Sequence, residues 1–203
     1  MLSYPIPVQA ETIVEETIKK SRFITYIAHT VGVDAAKNVV QVIRAQHPTA
    51  RHHCWAFVAG APNDSQQLGF SDDGEPSGTA GKPMLAQLMG SGLGEVTAVV
   101  VRYYGGVMLG TGGLVKAYGG GVQLALKHVE RQVKIPKQAY WLQCQYGQLA
   151  EIERIVQRHQ GELLDTRFTE HVTVNIALPE AFLAECNEAL SQFSRGELHL
   201  QQQ

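Results

Sequence analysis

The stretch "VTAVVVRYYGGVMLGTGGLVKAYGGG", residues 96–121, decides the fold of the first part of the chain. It begins with a nearly continuous apolar run, which is typical of a strand covered on both faces. A glycine-rich turn then leads into an apolar helical stripe that starts at Leu114. Together with a preceding helix and strand, this order of elements predicts a mixed α/β domain.

Arg102 falls near the carboxyl end of the predicted strand, where open α/β sheets place their ligand crevices. A guanidinium there either pairs with a buried carboxylate or binds an external anion, and the sequence leaves both open. The unpaired N–H groups at the start of the following helix also favour an anion, with Thr111 as the expected cap.

Three glycines, Gly119, Gly120 and Gly121, lie inside the same predicted helix. Each costs about 1 kcal/mol relative to alanine at an internal helical position. Such a cost indicates that something approaches the helix closely, either a neighbouring strand or helix or the backbone of a ligand.

A second polar stretch, "FSDDGEPSGTAGKP" at residues 70–83, follows the predicted strand "RHHCWAFVA" and precedes a helix expected to start at Pro83. Asp and Ser side chains bond nearby backbone N–H groups and glycines permit left-handed turns, so a well-ordered turn is one interpretation. A metal-assisted hydrolase using His52 and the acidic residues 72–75 is the alternative. His52 and His53 are adjacent on a strand and point to opposite faces, so only one of them serves any single site.

Neither glycine-rich segment fits a nucleotide-binding motif. "GTAGKP" has Pro76 and Pro83 where a phosphate loop needs Gly and Ser or Thr, and "GTGGLV" has Val115 in place of the third glycine of the dinucleotide fingerprint. We therefore predict no cofactor, and no metal outside the hydrolase alternative.

The second part of the chain has the periodicity of strand, helix, strand, strand, helix and strand. "AYWLQCQ" and "HVTVNIAL" alternate as strands do, and each is followed by a helical stripe. "GELLDTRF" and "GELHL" supply the other two strands. This order predicts a ferredoxin-like domain, and the polar segment around Pro136 separates it from the first part. The fold class is α+β, with domains at 1–133 and 138–203.

Composition limits the classes of partner. With 44% hydrophobic and 18% charged residues the 203-residue chain is globular, and its 19 acidic and 17 basic side chains give a net charge of −2. Any nucleic acid must therefore bind a local patch. Three scattered cysteines suit reduced thiols, and neither a leader pattern nor a run of about 18 apolar residues is seen. We expect a cytoplasmic protein with no membrane partner.

The blocks "HHCWAF", "SDDGEPSGTAGKP" and "VVVRYYGGVMLGTGGLVKAY" resemble, in this order, the signature blocks of the IMPACT family in its bacterial YigZ-type branch. The resemblance implies a first domain with the fold of the second domain of a small-subunit ribosomal protein. It implies a second domain like the last domain of the translocating elongation factor. Eukaryotic members regulate translation by protein contact through an additional N-terminal domain that this chain lacks, so their partner is not carried over.

The family's recurring residues fall in these three blocks, and the resemblance assigns none of them a chemical role. From the residues and the resemblance together we expect loops 70–83 and 105–113 to adjoin and bind phosphates of RNA or a ribosome, with a role in translation regulation. Residues 1–130 hold 10 basic and 10 acidic side chains, whereas nucleic-acid-binding domains usually have an excess of basic residues. A protein partner stays open. The predicted binding residues are Asp72, Asp73, Glu75, Ser77, Thr79, Lys82, Arg102, Tyr103, Gly105, Gly106, Thr111, Gly112, Gly113 and Lys116.

Overall fold

The computed structural model describes residues 3–202, which divide into two compact units: residues 4–134 form the first, and residues 135–202 together with residue 3 form the second. No helix within the described residues is both long and apolar enough to cross a membrane. The elements of the first unit are β1 Tyr4–Pro7, β2 Glu11–Ile18, β3 Ser21–His29, α1 Val33–Gln46, β4 His52–Val58, β5 Leu68–Ser71, α2 Gly81–Ser91, β6 Val96–Tyr103, α3 Thr111–Leu126 and β7 Arg131–Lys134.

The first unit is a five-stranded sheet with helices on both faces. Its strand order is β2-β3-β6-β4-β5 and every neighbouring pair is antiparallel, while β1 and β7 form a separate two-stranded ribbon. Helices α2 and α3 pack with one face of the sheet in the largest core cluster, and α1 packs with the other face. Both faces of the central strand β6 are therefore covered, which explains its continuous apolar sequence.

Two details of the first unit differ from the sequence predictions. The sheet is antiparallel, so the crevice rule for parallel strands does not explain the position of Arg102. Helix α2 begins at Gly81 instead of Pro83, because a carboxylate from earlier in the loop accepts the N–H groups of Ala80 and Gly81. Pro83 still lies in the first turn, where its missing N–H costs nothing.

A buried carboxylate joins the ribbon to the sheet. Glu95 is 2% exposed and adopts φ 54°, in the left-handed region. It accepts hydrogen bonds from the Tyr4 hydroxyl at 3.0 Å and from Lys134, and lies 2.9 Å from Nε2 of His29. These contacts hold β1 and β7 against the end of the sheet.

The second unit has the predicted ferredoxin-like order. Its elements are β8 Lys137–Cys144, α4 Leu149–Arg158, β9 Glu162–Phe168, β10 Val172–Pro179, α5 Leu183–Ser194 and β11 Gln201–Gln202. The strands are arranged β11-β8-β10-β9, all antiparallel, and α4 and α5 pack with the sheet in one apolar core. The short last strand follows "GELHL" instead of lying within it, and a 3-10 turn precedes α5.

Candidate functional site

Antiparallel pairing places the polar ends of two central strands side by side in the first unit. His52 at the start of β4 is the register partner of Arg102 near the end of β6. Arg51 precedes His52 and donates its backbone N–H to the Arg102 carbonyl at 3.2 Å. The basic residues of both strands therefore meet at one end of the sheet.

The buried Arg102 side chain is paired with a carboxylate. Arg102 is 5% exposed, and its Nη1 donates to Oε1 of Glu75 at 2.6 Å. The Tyr118 hydroxyl donates to the same Oε1 at 2.7 Å, and burial raises the pKa of that hydroxyl far above its ordinary value. Of the two alternatives for Arg102, the structure shows the internal carboxylate. Its Nε is buried and lacks a hydrogen-bond partner among residues 3–202.

Asp72 organises the loop that carries Glu75. Its carboxylate accepts backbone N–H groups from Gly78 at 2.8 Å, Ala80 at 3.0 Å and Gly81 at 2.8 Å. Burial alone raises the pKa of this carboxyl, but the three backbone donors lower it, and the balance leaves the pKa of Asp72 below its usual range. Asp72 therefore fixes the conformation of the loop and of the start of α2.

Asp73 ties the same loop to the sheet and to α1. It has φ 38°, its Oδ1 accepts from Nη2 of Arg44 at 2.9 Å, and its Oδ2 accepts the backbone N–H of His53 at 2.7 Å. Its carbonyl accepts a hydrogen bond from Nδ1 of His52 at 2.8 Å. That bond orients the His52 ring, whose Nε2 lies 3.8 Å from Oε1 of Glu75.

The glycine turn between β6 and α3 lies against a β-hairpin. A Cβ at Gly105 would overlap the backbone carbonyl of Lys20, at the turn between β2 and β3, so no larger residue fits there. Gly110, at φ 74°, precedes α3, and no side chain caps the helix. The prediction that Thr111 caps α3 is wrong, because the helix already begins at Thr111 and its hydroxyl lies inside the first turn.

These parts enclose a cavity of about 400 Å³ at the N-terminus of α3. Loop 70–83 and the glycine turn adjoin along it, since Pro76 and Gly110 both line its wall. Gly110 and Thr111, at the exposed start of α3, line this cavity, and a helix N-terminus of this kind favours anions. The lining residues are Arg51, His52, Gly74, Glu75, Pro76, Arg102, Tyr104, Met108, Leu109, Gly110, Thr111 and Leu114.

The other predicted residues are divided between the loop, the helices and the face of the sheet that packs against α1. Thr79 is buried and donates to the Pro76 carbonyl at 2.6 Å, while Ser77 is exposed on the loop. The Tyr103 hydroxyl bonds Nδ1 of His47 at 2.8 Å, away from the residues that line the cavity. Lys82 and Lys116 line a separate groove between α2 and α3, so they do not meet Arg102.

The metal-assisted alternative finds little support in these contacts. Both oxygens of Asp72 and both of Asp73 already accept hydrogen bonds from protein donors, and Glu75 pairs with Arg102. Within residues 3–202, no three His, Cys, Asp or Glu side chains are grouped as metal ligands.

Sequence reasoning missed Arg51 and Tyr104 as residues of the cavity. Tyr104 is 43% exposed and is contacted by the guanidinium groups of Arg51 and Arg102, at 5.9 Å and 5.4 Å from its ring centre. Antiparallel pairing of "RHHCWAF" with "VVVRYY" would have placed Arg51 beside the end of β6, but the sequence does not state which strands pair.

Comparisons with known proteins cover both units. The Impact N-terminal domain family matches residues 19–126, and a family called a domain of unknown function (DUF1949) matches residues 142–197. The chain is 62% identical to the IMPACT family member YigZ of Escherichia coli strain K12, over 98% of each protein. A crystal structure described as that of an hypothetical protein is similar over 100% of this chain and 98% of its own, with 60% identity and a TM-score of 0.82.

A structure described as the two-domain translational regulator Yih1 is much less similar. It matches 59% of this chain and 48% of its own length, with 21% identity and a TM-score of 0.39. A likeness this slight carries no argument about fold or function.

Proposed function

The chain belongs to the IMPACT family, and from that premise we propose that it binds RNA or the ribosome and acts in the regulation of translation. The cavity at the N-terminus of α3 is the proposed contact, and phosphate groups are the proposed ligands. The role in translation follows from the resemblance to family members that regulate translation.

One observation carries the proposal: the uncapped start of α3 opens into the same cavity as Arg51 and Arg102. Helix N–H groups and guanidinium groups are both preferred ligands of phosphate oxygens. Arg51 is exposed and forms no ion pair within the described residues, so its charge is available to a ligand. Arg102 pairs with Glu75 and contributes mainly by holding the loop in place.

The balanced charge of the first 130 residues does not exclude this function, because the charges are unevenly distributed. Among the described residues, Glu75 is the only acidic one that lines the cavity, and its charge is matched by Arg102 at 2.6 Å. Three further acids, Asp72, Asp73 and Glu95, accept hydrogen bonds from protein donors. Four of the ten acids in residues 1–130 are thus bound to protein donors within the first unit.

The experiment is a titration of the full chain with structured RNA and with ribosomal subunits at several salt concentrations. Binding through phosphates weakens as salt rises, with a slope that reports the number of contacts. Arg51→Ala is expected to reduce that slope by about one and to weaken all RNA sequences alike. Lys37→Ala is the matched control, because Lys37 is an exposed cation on α1, which packs on the opposite face of the sheet.

Two results would contradict the proposal. One is the absence of binding to RNA and to both ribosomal subunits at low salt. The other is equal weakening by Arg51→Ala and Lys37→Ala, which would mean that only overall charge matters. Arg102→Ala is unsuitable here, because it would leave Glu75 buried without its partner and would perturb folding.

A further inference from the structure

A second concave surface of the first unit carries unpaired positive charge. The groove between α2 and α3 has a volume of about 660 Å³, and the residues that line it include Lys82, Gln87, Lys116, Gly119, Gly120 and Gln123. Lys82 and Lys116 are exposed, and neither forms an ion pair or hydrogen bond within residues 3–202. In the part of the chain that the structure describes, no acidic residue lines the groove, so its charge is complementary to a polyanion.

One glycine of the groove, Gly120, is not required by internal packing. Gly121 is explained, because a Cβ there would lie 2.6 Å from Oγ1 of the buried Thr25. Gly119 is buried and faces α2, since its Cβ would lie 3.6 Å from Pro83. A Cβ at Gly120 would meet nothing within 4 Å, so alanine would fit there and would favour the helix. The glycine at this position leaves room for a ligand to approach α3 closely.

The groove and the cavity are lined by nearby residues of the same loop and the same helix. Along the loop, Pro76 lines the cavity and Gly78 lines the groove; along α3, Leu114 lines the cavity and Lys116 lines the groove. The half-exposed ring of Tyr104 stands in the cavity wall, and aromatic rings of this kind stack on unpaired nucleobases. Proteins that bind single-stranded nucleic acids combine a positively charged groove with aromatic side chains on which the bases stack.

We propose that the α2–α3 groove binds the phosphodiester backbone of a single-stranded RNA segment, with Lys82 and Lys116 on its phosphates and one unstacked base on Tyr104. This inference rests on the proposed function and names the form of RNA that the first unit takes. Gly120 lets the strand lie close to α3, and the amides of Gln87 and Gln123 line its path.

The test measures anisotropy of a labelled single-stranded oligouridylate with the full chain at several salt concentrations. Lys82→Ala/Lys116→Ala is expected to lower affinity at about 0.1 M salt by roughly tenfold or more and to reduce the salt slope by about two. Lys37→Ala/Lys127→Ala is the matched control, since it removes the same charge from exposed lysines outside the groove.

Gly120→Ala separates a ligand contact from a structural role. Alanine there adds a methyl group on the groove floor with no internal clash, so the melting temperature should rise or stay constant while RNA affinity falls several-fold. Unchanged affinity in this variant would overturn close approach of the strand to α3.

The remaining outcomes distinguish the groove from the cavity. If Arg51→Ala loses RNA binding while Lys82→Ala/Lys116→Ala binds RNA as tightly as the wild type, the proposed function is retained and the proposal for the groove is overturned. No binding of wild type to any RNA would overturn both. Release of the oligouridylate by polyglutamate at equal charge concentration would assign the groove to an acidic polypeptide and overturn the proposal for RNA.

Discussion

The two units bury very different chemistry. Among the described residues, the first unit buries nine polar or charged residues and the second unit only Ser194. The core of the second unit is otherwise apolar across its strands and both helices. The nine in the first unit are Ser21, Thr25, Thr30, His52, His53, Thr79, Glu95, Thr97 and Arg102.

This difference predicts that the two units respond differently to substitutions in their cores. An apolar core tolerates exchange of similar side chains, whereas a buried polar network is strongly destabilised when one member loses its partner. In the first unit such networks hold the loop 70–83 in position, and that loop forms one wall of the proposed RNA site. The second unit has no comparable network within the part of the chain that the structure describes.

The largest expected effect comes from removing Glu75. Glu75→Ala leaves the Arg102 guanidinium buried without a counter-charge, which costs about 3–5 kcal/mol of the free energy of unfolding. Glu151→Ala in the second unit breaks an exposed pair with Arg154 and should leave the urea midpoint of that unit almost unchanged. Urea unfolding measures both changes.

The two tryptophans allow the unfolding of each unit to be followed separately in that measurement. The chain has one tryptophan in each unit, Trp55 and Trp141, so a Trp141→Phe background reports the first unit and a Trp55→Phe background the second. Equal midpoints for Glu75→Ala and its parent in the Trp141→Phe background would contradict the importance given to the buried pair.

A smaller effect is expected from two neighbouring glycines of α3. Gly121→Ala should destabilise the first unit by about 1–3 kcal/mol, because the new methyl group would lie 2.6 Å from Oγ1 of the rigidly packed Thr25. Gly120→Ala should stabilise it by up to about 1 kcal/mol, since the site is open. Thermal unfolding of both variants checks the opposite signs, and a shift of the same sign in both would show that helix propensity outweighs the contact.

The smallest effect is a difference in acid sensitivity. Burial alone raises the pKa of both Asp72 and Glu95. Hydrogen bonds outweigh this effect and lower both pKa values, from backbone donors at Asp72 and from the side chains of Lys134, His29 and Tyr4 at Glu95. Both carboxyls therefore have folded-state pKa values below their unfolded values of about 4, and they stabilise the first unit above that pH. This stability is lost as pH falls below about 4, through the folded pKa values.

Urea midpoints of the two single-tryptophan backgrounds at pH 7 and at about pH 3.5 test this difference. The first unit should lose more of its stability than the second. Asp72→Asn should reduce the pH dependence of the first unit, because it removes one of the titrating groups. An equal loss in both units would show that general charge repulsion, and not these carboxyls, governs acid unfolding.

Sequence reasoning succeeded where the signal was periodic and local. The alternation in "HVTVNIAL" and the helical stripes around it were enough to predict the ferredoxin-like order, since each element has its own pattern. It failed on the start of α2, because the cap comes from Asp72, eight residues before Ala80. It also failed on Thr111, because helix boundaries depend on the backbone of Gly110.

The sequence by itself determined the elements, the family and the polar character of loops 70–83 and 105–113, because composition and periodicity act over a few residues. Only the tertiary structure decided that Arg102 pairs with Glu75, that Arg51 joins the cavity, and that Lys82 and Lys116 lie in a separate groove. These relations depend on strand order and register, which bring together residues that are far apart in the chain. A local sequence pattern does not specify which distant residues come together, so the arrangement of the site could be described only from the folded structure.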